Sequence, residues 1–219
     1  MKKQLVIFDL DGTLLDTIED LANSANFALQ KHRFPTHPVA DYRFFVGNGI
    51  IKLIERSLPA DMRDIETVGK LRQDFMSHYV AHAEECTRPY PGISELLADI
   101  HRAGIKIAVA SNKVQEATGQ LIKKYFPDIP FVAVYGQREN MPIKPNPAVV
   151  EEIVKNAGVE KSQVLYVGDS GVDVQTAINA KVDLIAVLWG FRPKSELLEA
   201  GATRFVEKPD EILHLLLSR

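Results

Sequence analysis

The sequence predicts an α/β protein, a doubly wound parallel sheet with a helical cap inserted after the first strand, and three observations predict it. First, short β-branched runs recur at 5–8, 105–110, 131–134, 164–167 and 184–188, with a weaker run at Phe205-Val206. Most are apolar throughout rather than alternating, the pattern of strands covered on both faces. Second, amphipathic helical stretches at 92–103, 113–125, 146–157 and 173–179 lie between them. Strands alternating with helices of that length build a parallel sheet with helices on both sides. Third, one segment, 16–86, breaks the alternation.

The first run is Gln4-Leu5-Val6-Ile7-Phe8, and it stops at Asp9-Leu10-Asp11. After Met1-Lys2-Lys3 it has the outline of a signal-peptide start, but it is too short for an apolar h-region and reads as a buried strand. The segment 16–86 has helical periodicity: Leu21, Ala25, Ala28 and Leu29, then Ile50, Leu53, Ile54 and Leu58, then Leu71, Phe75 and Tyr79. It holds no convincing strand. Arg88-Pro89-Tyr90-Pro91-Gly92 ends it, because two prolines and a glycine stop one helix and start another at Gly92 or Ile93. The expected division is a core of 1–15 and 87–219 and a helical cap of 16–86.

Composition narrows the partners. A chain of 219 residues with a formal charge of −3 lacks the basic surface that nucleic acid or an anionic membrane calls for. No apolar stretch approaches a membrane span. Cys86 is the single cysteine, so no internal disulfide forms, which suits a reducing cytoplasm. A small anionic substrate is compatible, since a local cluster of lysines can serve it. A monomer or homodimer is expected.

Ligands of such sheets sit beyond the carboxyl ends of the strands. After the first run come Asp9, Asp11, Gly12 and Thr13; after the second, Ser111, Asn112 and Lys113; before the helix at Asn146, Lys144 and Pro145; after the fourth, Gly168, Asp169, Ser170 and Gly171, with Asp173 beyond. Singly, each is a strand-end turn, a helix cap or a surface lysine. Together on one rim, the turn reading needs four coincidences.

Asp9-Leu10-Asp11-Gly12-Thr13-Leu14, Ser111-Asn112, Lys144-Pro145 and Gly168-Asp169-Ser170-Gly171-Val172-Asp173 resemble the four successive motifs of the haloacid dehalogenase superfamily. The resemblance implies a Rossmann-like core and a cap of that superfamily's first class. It also implies a phosphatase in which Asp9 attacks phosphorus and forms an aspartyl-phosphate, splitting hydrolysis into two easier steps. Asp11 would protonate the leaving alcohol and then deprotonate the attacking water, which requires it to begin protonated. Mg²⁺ would be held by Asp9, the backbone carbonyl of Asp11, and Asp169, with Asp173 behind them. Lys144 would neutralise Asp9 and the phosphate, while Ser111, Asn112 and loop N–H groups take phosphoryl oxygens. Dehalogenases of the superfamily lack the acid two residues after the nucleophile; this sequence has Asp11.

Phe45-Val46-Gly47-Asn48-Gly49 and Trp189-Gly190-Phe191-Arg192 resemble phosphoglycolate phosphatases in particular. A glycine-rich cap loop at Gly47, Asn48 and Gly49, flanked by Arg43 and Lys52, would meet a small anion such as the carboxylate of 2-phosphoglycolate. The alternatives are a sugar-phosphate, nucleotide or pyrophosphate phosphohydrolase, or a phosphomutase. A phospho-aspartate receiver is more remote, since receivers carry no insert after strand one. One departure stands out: Ala180-Lys181 replaces the family's usual Ala-Gly. Two decoys are set aside. Gly168-Asp169-Ser170-Gly171 matches a serine-protease signature, but on the wrong fold class. His78 and His82 have a zinc-like spacing without the glutamate, and read as a solvated helix face.

Overall fold

The computed structural model describes residues 2–217, so Met1, Ser218 and Arg219 of the expected core range lie outside the described residues. It divides into two compact units, 1–15 with 89–219, and 16–88.

The first unit is built on six strands: β1 (Leu5–Phe8), β2 (Lys106–Val114), β3 (Phe131–Gln137), β4 (Val164–Gly168), β5 (Asp183–Val187) and β6 (Phe205–Val206). Their order across the sheet is β3-β2-β1-β4-β5-β6, and every pairing is parallel. Leu5 pairs with Lys106 on one side and with Val164 on the other. The order therefore reverses at β1, which makes its carboxyl end a switch point where a crevice opens.

Alternation along the strands explains why both faces are covered. Side chains of a strand point to opposite faces in turn. Val6 and Phe8 join one buried cluster with Leu97 and Ile100, whereas Leu5 and Ile7 join another with Val150 and Ile153. The first cluster is completed by α5 (Ile93–Arg102), α6 (Gln115–Tyr125) and α10 (Pro209–Leu217), and the second by α7 (Ala148–Ala157) and α8 (Gly171–Ala180). All four side chains of β1 have no exposed surface, and burying each contributes about 1.5–3 kcal/mol. A short α9 (Lys194–Glu199) precedes β6.

Of the boundaries that differ from the sequence expectation, three bear on the site. β2 runs on to Val114, so Ser111, Asn112 and Lys113 are strand residues, and α6 starts at Gln115. The register shifts between Ala110 and Val114, and this irregular stretch is held by Asn112 rather than by the sheet alone. α7 begins at Ala148, since Pro145 and Pro147 precede it and Pro147 is its N-cap. α8 starts earlier than expected, at Gly171, because the Ser170 side chain accepts the N–H of Asp173 and Asp173 answers through the N–H of Ser170.

The second unit contains α1 (Ile18–Lys31), α2 (Tyr42–Phe45), α3 (Gly49–Ser57) and α4 (Ile65–His82). α1 packs on α4, with Leu21, Ala25 and Leu29 buried on the one and Leu71, Phe75 and Tyr79 on the other. The buried Asp20 accepts from the backbone N–H groups of Cys86 and Thr87 and from the Thr87 hydroxyl, which ties the end of the unit to α1. Of His78 and His82, only His78 turns toward α1, stacking on Phe27 at 4.4 Å and bonding Ser24 at 3.0 Å. His82, stacked on His78 at 4.2 Å, keeps its side chain 42% exposed and bonds the exposed Glu85. Among the described residues, no helix is long and apolar enough to cross a membrane.

Candidate active site

The site grows out of β1 and β4, the adjacent strands at the switch point. Asp9 follows the last residue of β1, and its N–H is fixed by the carbonyl of Val167 on β4. Its carboxylate accepts the N–H of Leu10 at 2.7 Å, so the side chain is held at the strand tip. Asp169 follows β4 directly. One of its oxygens accepts from the Thr13 hydroxyl at 2.9 Å and the other from the Phe191 N–H at 2.8 Å. Asp173 lies on the first turn of α8.

Lys144 binds these acids together. Its ammonium stands 2.9 Å from Asp9, 2.7 Å from Asp173 and 3.0 Å from the Tyr166 hydroxyl. Asn112 sets its place: the amide oxygen accepts the Lys144 N–H at 2.8 Å and the amide nitrogen donates to the Lys144 carbonyl at 3.0 Å. The Lys144-Pro145 peptide bond is cis. Both oxygens of Asp173 are also engaged elsewhere, one by Tyr166 at 3.0 Å and the other by the hydroxyl and N–H of Ser170.

The electrostatics follow from burial. Asp9, Asp169 and Asp173 each offer an oxygen within 4.8 Å of the others, all three buried, against the single ammonium of Lys144. Burial, then Asp173, pushes the Asp169 carboxyl up to about 7. Asp9 is held well above the usual carboxylate range by burial and by Asp173, with Lys144 opposing. Burial alone lowers a lysine, but Asp173 and Asp9 outweigh it and hold Lys144 well above its ordinary value. Three carboxylates and one ammonium leave excess negative charge in an oxygen-only pocket, the donor set that suits a hard divalent cation. Glycines bring the backbone close to it. A Cβ on Gly12 would lie 2.7 Å from Cγ of Asp169, and one on Gly190 would lie 2.5 Å from both the Asp169 carboxylate and the Gly12 carbonyl.

The structure thus brings Asp9, Lys144, Asp169 and Asp173 into one buried cluster. Asp11 stands beside Lys113, whose ammonium is 3.0 Å from one carboxylate oxygen and 3.3 Å from the other. Ser111 is buried, and its hydroxyl accepts the Lys113 N–H at 3.2 Å. Asn112, expected to bind phosphate, has both ends of its side-chain amide committed to Lys144, so through that amide it places the lysine. In the helical unit, Gly47 and Gly49 both have positive φ, and the side chain of Asn48 between them accepts from Arg56 at 2.8 Å. Lys52 pairs with Glu55 at 2.5 Å, and Arg43 is exposed.

The sequence gives no signal for Tyr166, Arg56 or the Phe191 N–H, and it places Lys113 on the rim without a role. Tyr166 reads as one more apolar strand residue, and Lys113 as a rim residue that opens a helix. Trp189 and Phe191 have a role beyond core packing, since the Trp189 indole donates to the Thr13 carbonyl at 3.0 Å and the Phe191 backbone fixes Asp169.

A carboxylate at a strand tip, a lysine reaching it from another loop and two further acids beyond β4 form an arrangement that fits a hydrolase class the sequence itself matches. The chain belongs to the haloacid dehalogenase-like hydrolases, matching that family over residues 6–187. Its relatives place it among the phosphatases of the family. It is 34% identical over 193 residues to the phosphoglycolate phosphatase of Mesorhizobium japonicum, covering 87% of this chain and 85% of that one. Against the phosphoglycolate phosphatase of Caulobacter vibrioides it is 33% identical over 218 residues, covering 97% and 92%. A solved protein of Lactobacillus delbrueckii subsp. bulgaricus, a proposed phosphoglycolate phosphatase, superposes with a TM-score of 0.95 at 32% identity over the whole of both chains.

Proposed function

We propose that the protein is a Mg²⁺-dependent phosphatase that hydrolyses a small phosphomonoester through an aspartyl-phosphate on Asp9, with 2-phosphoglycolate as its substrate. One observation carries the mechanism: the Asp9 carboxylate lies at a strand tip, 2.9 Å from a buried ammonium and within one cluster with Asp169 and Asp173. The substrate rests on the relatives named above.

An oxygen of Asp9 attacks phosphorus, and the bond from phosphorus to the ester oxygen breaks. Asp11 gives its proton to that departing oxygen, so the alcohol leaves neutral. Asp11 then takes a proton from water as the water oxygen attacks phosphorus. The bond from phosphorus to Asp9 breaks, returning the carboxylate and inorganic phosphate. Lys144 favours the ionised form of Asp9 before attack and aims it. Asp173 and Tyr166 hold Lys144 in turn, and Asn112 fixes its backbone. Ser111 and the N–H groups of the loop after β1 are the candidates for the phosphoryl oxygens.

Asp9, Asp169 and the Asp11 carbonyl would hold Mg²⁺, and Asp173, whose oxygens are already engaged, would stand behind them. The bound cation supplies positive charge between two anions that would otherwise repel, nucleophile and phosphate.

The test is phosphate release from 2-phosphoglycolate, glucose phosphates, nucleoside monophosphates and pyrophosphate, with and without Mg²⁺, for the native chain and Asp9→Asn. Metal-dependent turnover that disappears in Asp9→Asn is the expected result, fastest on 2-phosphoglycolate. Full activity in Asp9→Asn, or no release from any substrate, would overturn the reading.

A further inference from the structure

The described residues include two buried lysines, and the mechanism above uses one of them. Lys144 is fully engaged: an ammonium has three N–H donors, and Asp9, Asp173 and Tyr166 all lie within 3.0 Å of it. Any anionic group of a substrate other than its phosphoryl group needs positive charge from elsewhere.

Lys113 has the position and the support to provide it. Its side chain is 4% exposed, and its ammonium lies against the Asp11 carboxylate. Its backbone is pinned from three directions. The N–H is taken by Ser111, the carbonyl accepts from the Thr118 hydroxyl at 3.3 Å, and Gly136 of β3 approaches so closely that a Cβ there would lie 2.5 Å from that carbonyl. A surface lysine needs none of this. An ammonium buried to this degree is costly unless opposite charge faces it, and the rigid backbone fixes where that charge must be.

We propose that Lys113 determines specificity, pairing with a carboxylate borne on the carbon next to the leaving oxygen. The inference rests on the reading that Asp11 faces the leaving oxygen. With Asp11 hydrogen-bonded to that oxygen, a substituent one carbon away falls beside the ammonium 3.0 Å from Asp11. In 2-phosphoglycolate that substituent is the carboxylate. The substrate class is therefore short phosphomonoesters with an α-carboxylate, and neutral alcohols of the same length are disfavoured. Asp11 holds the lysine until such a group arrives.

The experiment compares 2-phosphoglycolate with 2-hydroxyethyl phosphate, of equal length but neutral at that end, for the native chain, Lys113→Met and Lys113→Arg. The native chain should favour 2-phosphoglycolate. Lys113→Met should lose about 100-fold more in kcat/KM on it than on the neutral ester, the scale of a lost charge-assisted hydrogen bond, whatever loss the two share through Asp11. Lys113→Arg should restore part of the loss. Turnover of the neutral ester also shows that the variant is folded. An equal fall on both esters would mean that Lys113 only orients Asp11, and would overturn the proposal while phosphatase action stands. So would equal native rates on both esters. With no variant at all, glycolate should inhibit native turnover of the neutral ester far better than ethylene glycol does; equal inhibition overturns the proposal. Release from no ester by the native chain would instead remove the phosphatase reading, and this one with it.

Discussion

The ammonium of Lys144 lies 2.7 Å from the carboxylate of Asp173, a side chain with no exposed surface, and the two reach each other from a loop and the first turn of α8, 29 residues apart. A buried pair of this kind contributes little net stability against an apolar pair, but removing one partner strands the other. Lys144→Met leaves Asp9, Asp169 and Asp173 without their cation. The expected loss is about 3–5 kcal/mol of unfolding free energy in EDTA. Mg²⁺ should restore part of it by taking over the neutralisation. Urea denaturation with EDTA and with Mg²⁺ checks this, and the same loss in both conditions would count against a metal at these carboxylates.

The Asp169 carboxyl, at about 7, sets a pH dependence whose sign can be worked out. Its folded value lies above its unfolded one, so the folded metal-free protein prefers the protonated form. That contribution to stability is complete below the unfolded value, about 4, and is lost as pH rises through about 7. A cation needs the carboxylate instead, so binding releases a proton below that range. The rise in Tm on adding Mg²⁺ should therefore be small near about pH 5.5 and large near about pH 8. Scanning calorimetry across this range measures it; a Mg²⁺ shift independent of pH would show that Asp169 is no ligand.

Much of the site is legible from residue type at strand ends. Asp9, Asp169 and Lys144 stand where a doubly wound sheet presents its ligands, and an aspartate, a glycine and a lysine at those tips mark themselves against apolar strands. Lys113 is legible as a rim residue, but its role and its place in the strand are not. The apolar run stops at Ala110, so Ser111, Asn112 and Lys113 look like a turn into a helix, yet the strand carries on to Val114. What extends it is the bonding of Asn112 to the Lys144 backbone, a contact 32 residues away that no local pattern encodes. Tyr166 is hidden for the opposite reason. It sits in a fully buried strand where a tyrosine serves as an apolar residue, and only Lys144 and Asp173 give its hydroxyl a purpose.

The Ala180-Lys181 departure has a measurable cost. Lys181 follows α8 as its C-cap with φ 58° and ψ 48°, the left-handed conformation that glycine adopts freely and a side chain resists. Its side chain is exposed. Lys181→Gly should stabilise the protein by about 0.5–1 kcal/mol, read as a higher urea midpoint at unchanged slope. Turnover should not change.

Gly190 tests the close approach of backbone to the acidic cluster. A Cβ there would overlap Cβ of Asp169 and lie 2.5 Å from both the Asp169 carboxylate and the Gly12 carbonyl. Two of these three contacts are with atoms that have little room to retreat, since Asp169 is held by Thr13 and by the Phe191 N–H next to Gly190 itself. The added methyl must turn the Asp169 carboxylate or push the two loops apart. Overpacking of this size costs about 1–3 kcal/mol. The sharper consequence is for the cation, because a ligand oxygen displaced by a few tenths of an ångström no longer fits the near-ideal octahedron that Mg²⁺ demands. Gly190→Ala should weaken Mg²⁺ binding, measured by titration calorimetry, by about 10-fold or more, the range found when a ligand's support is removed. Gly119 serves as the control, since a Cβ there meets nothing within 4 Å. Gly119→Ala should leave the Mg²⁺ affinity unchanged, and an equal fall in both variants would detach the effect from the Asp169 contact.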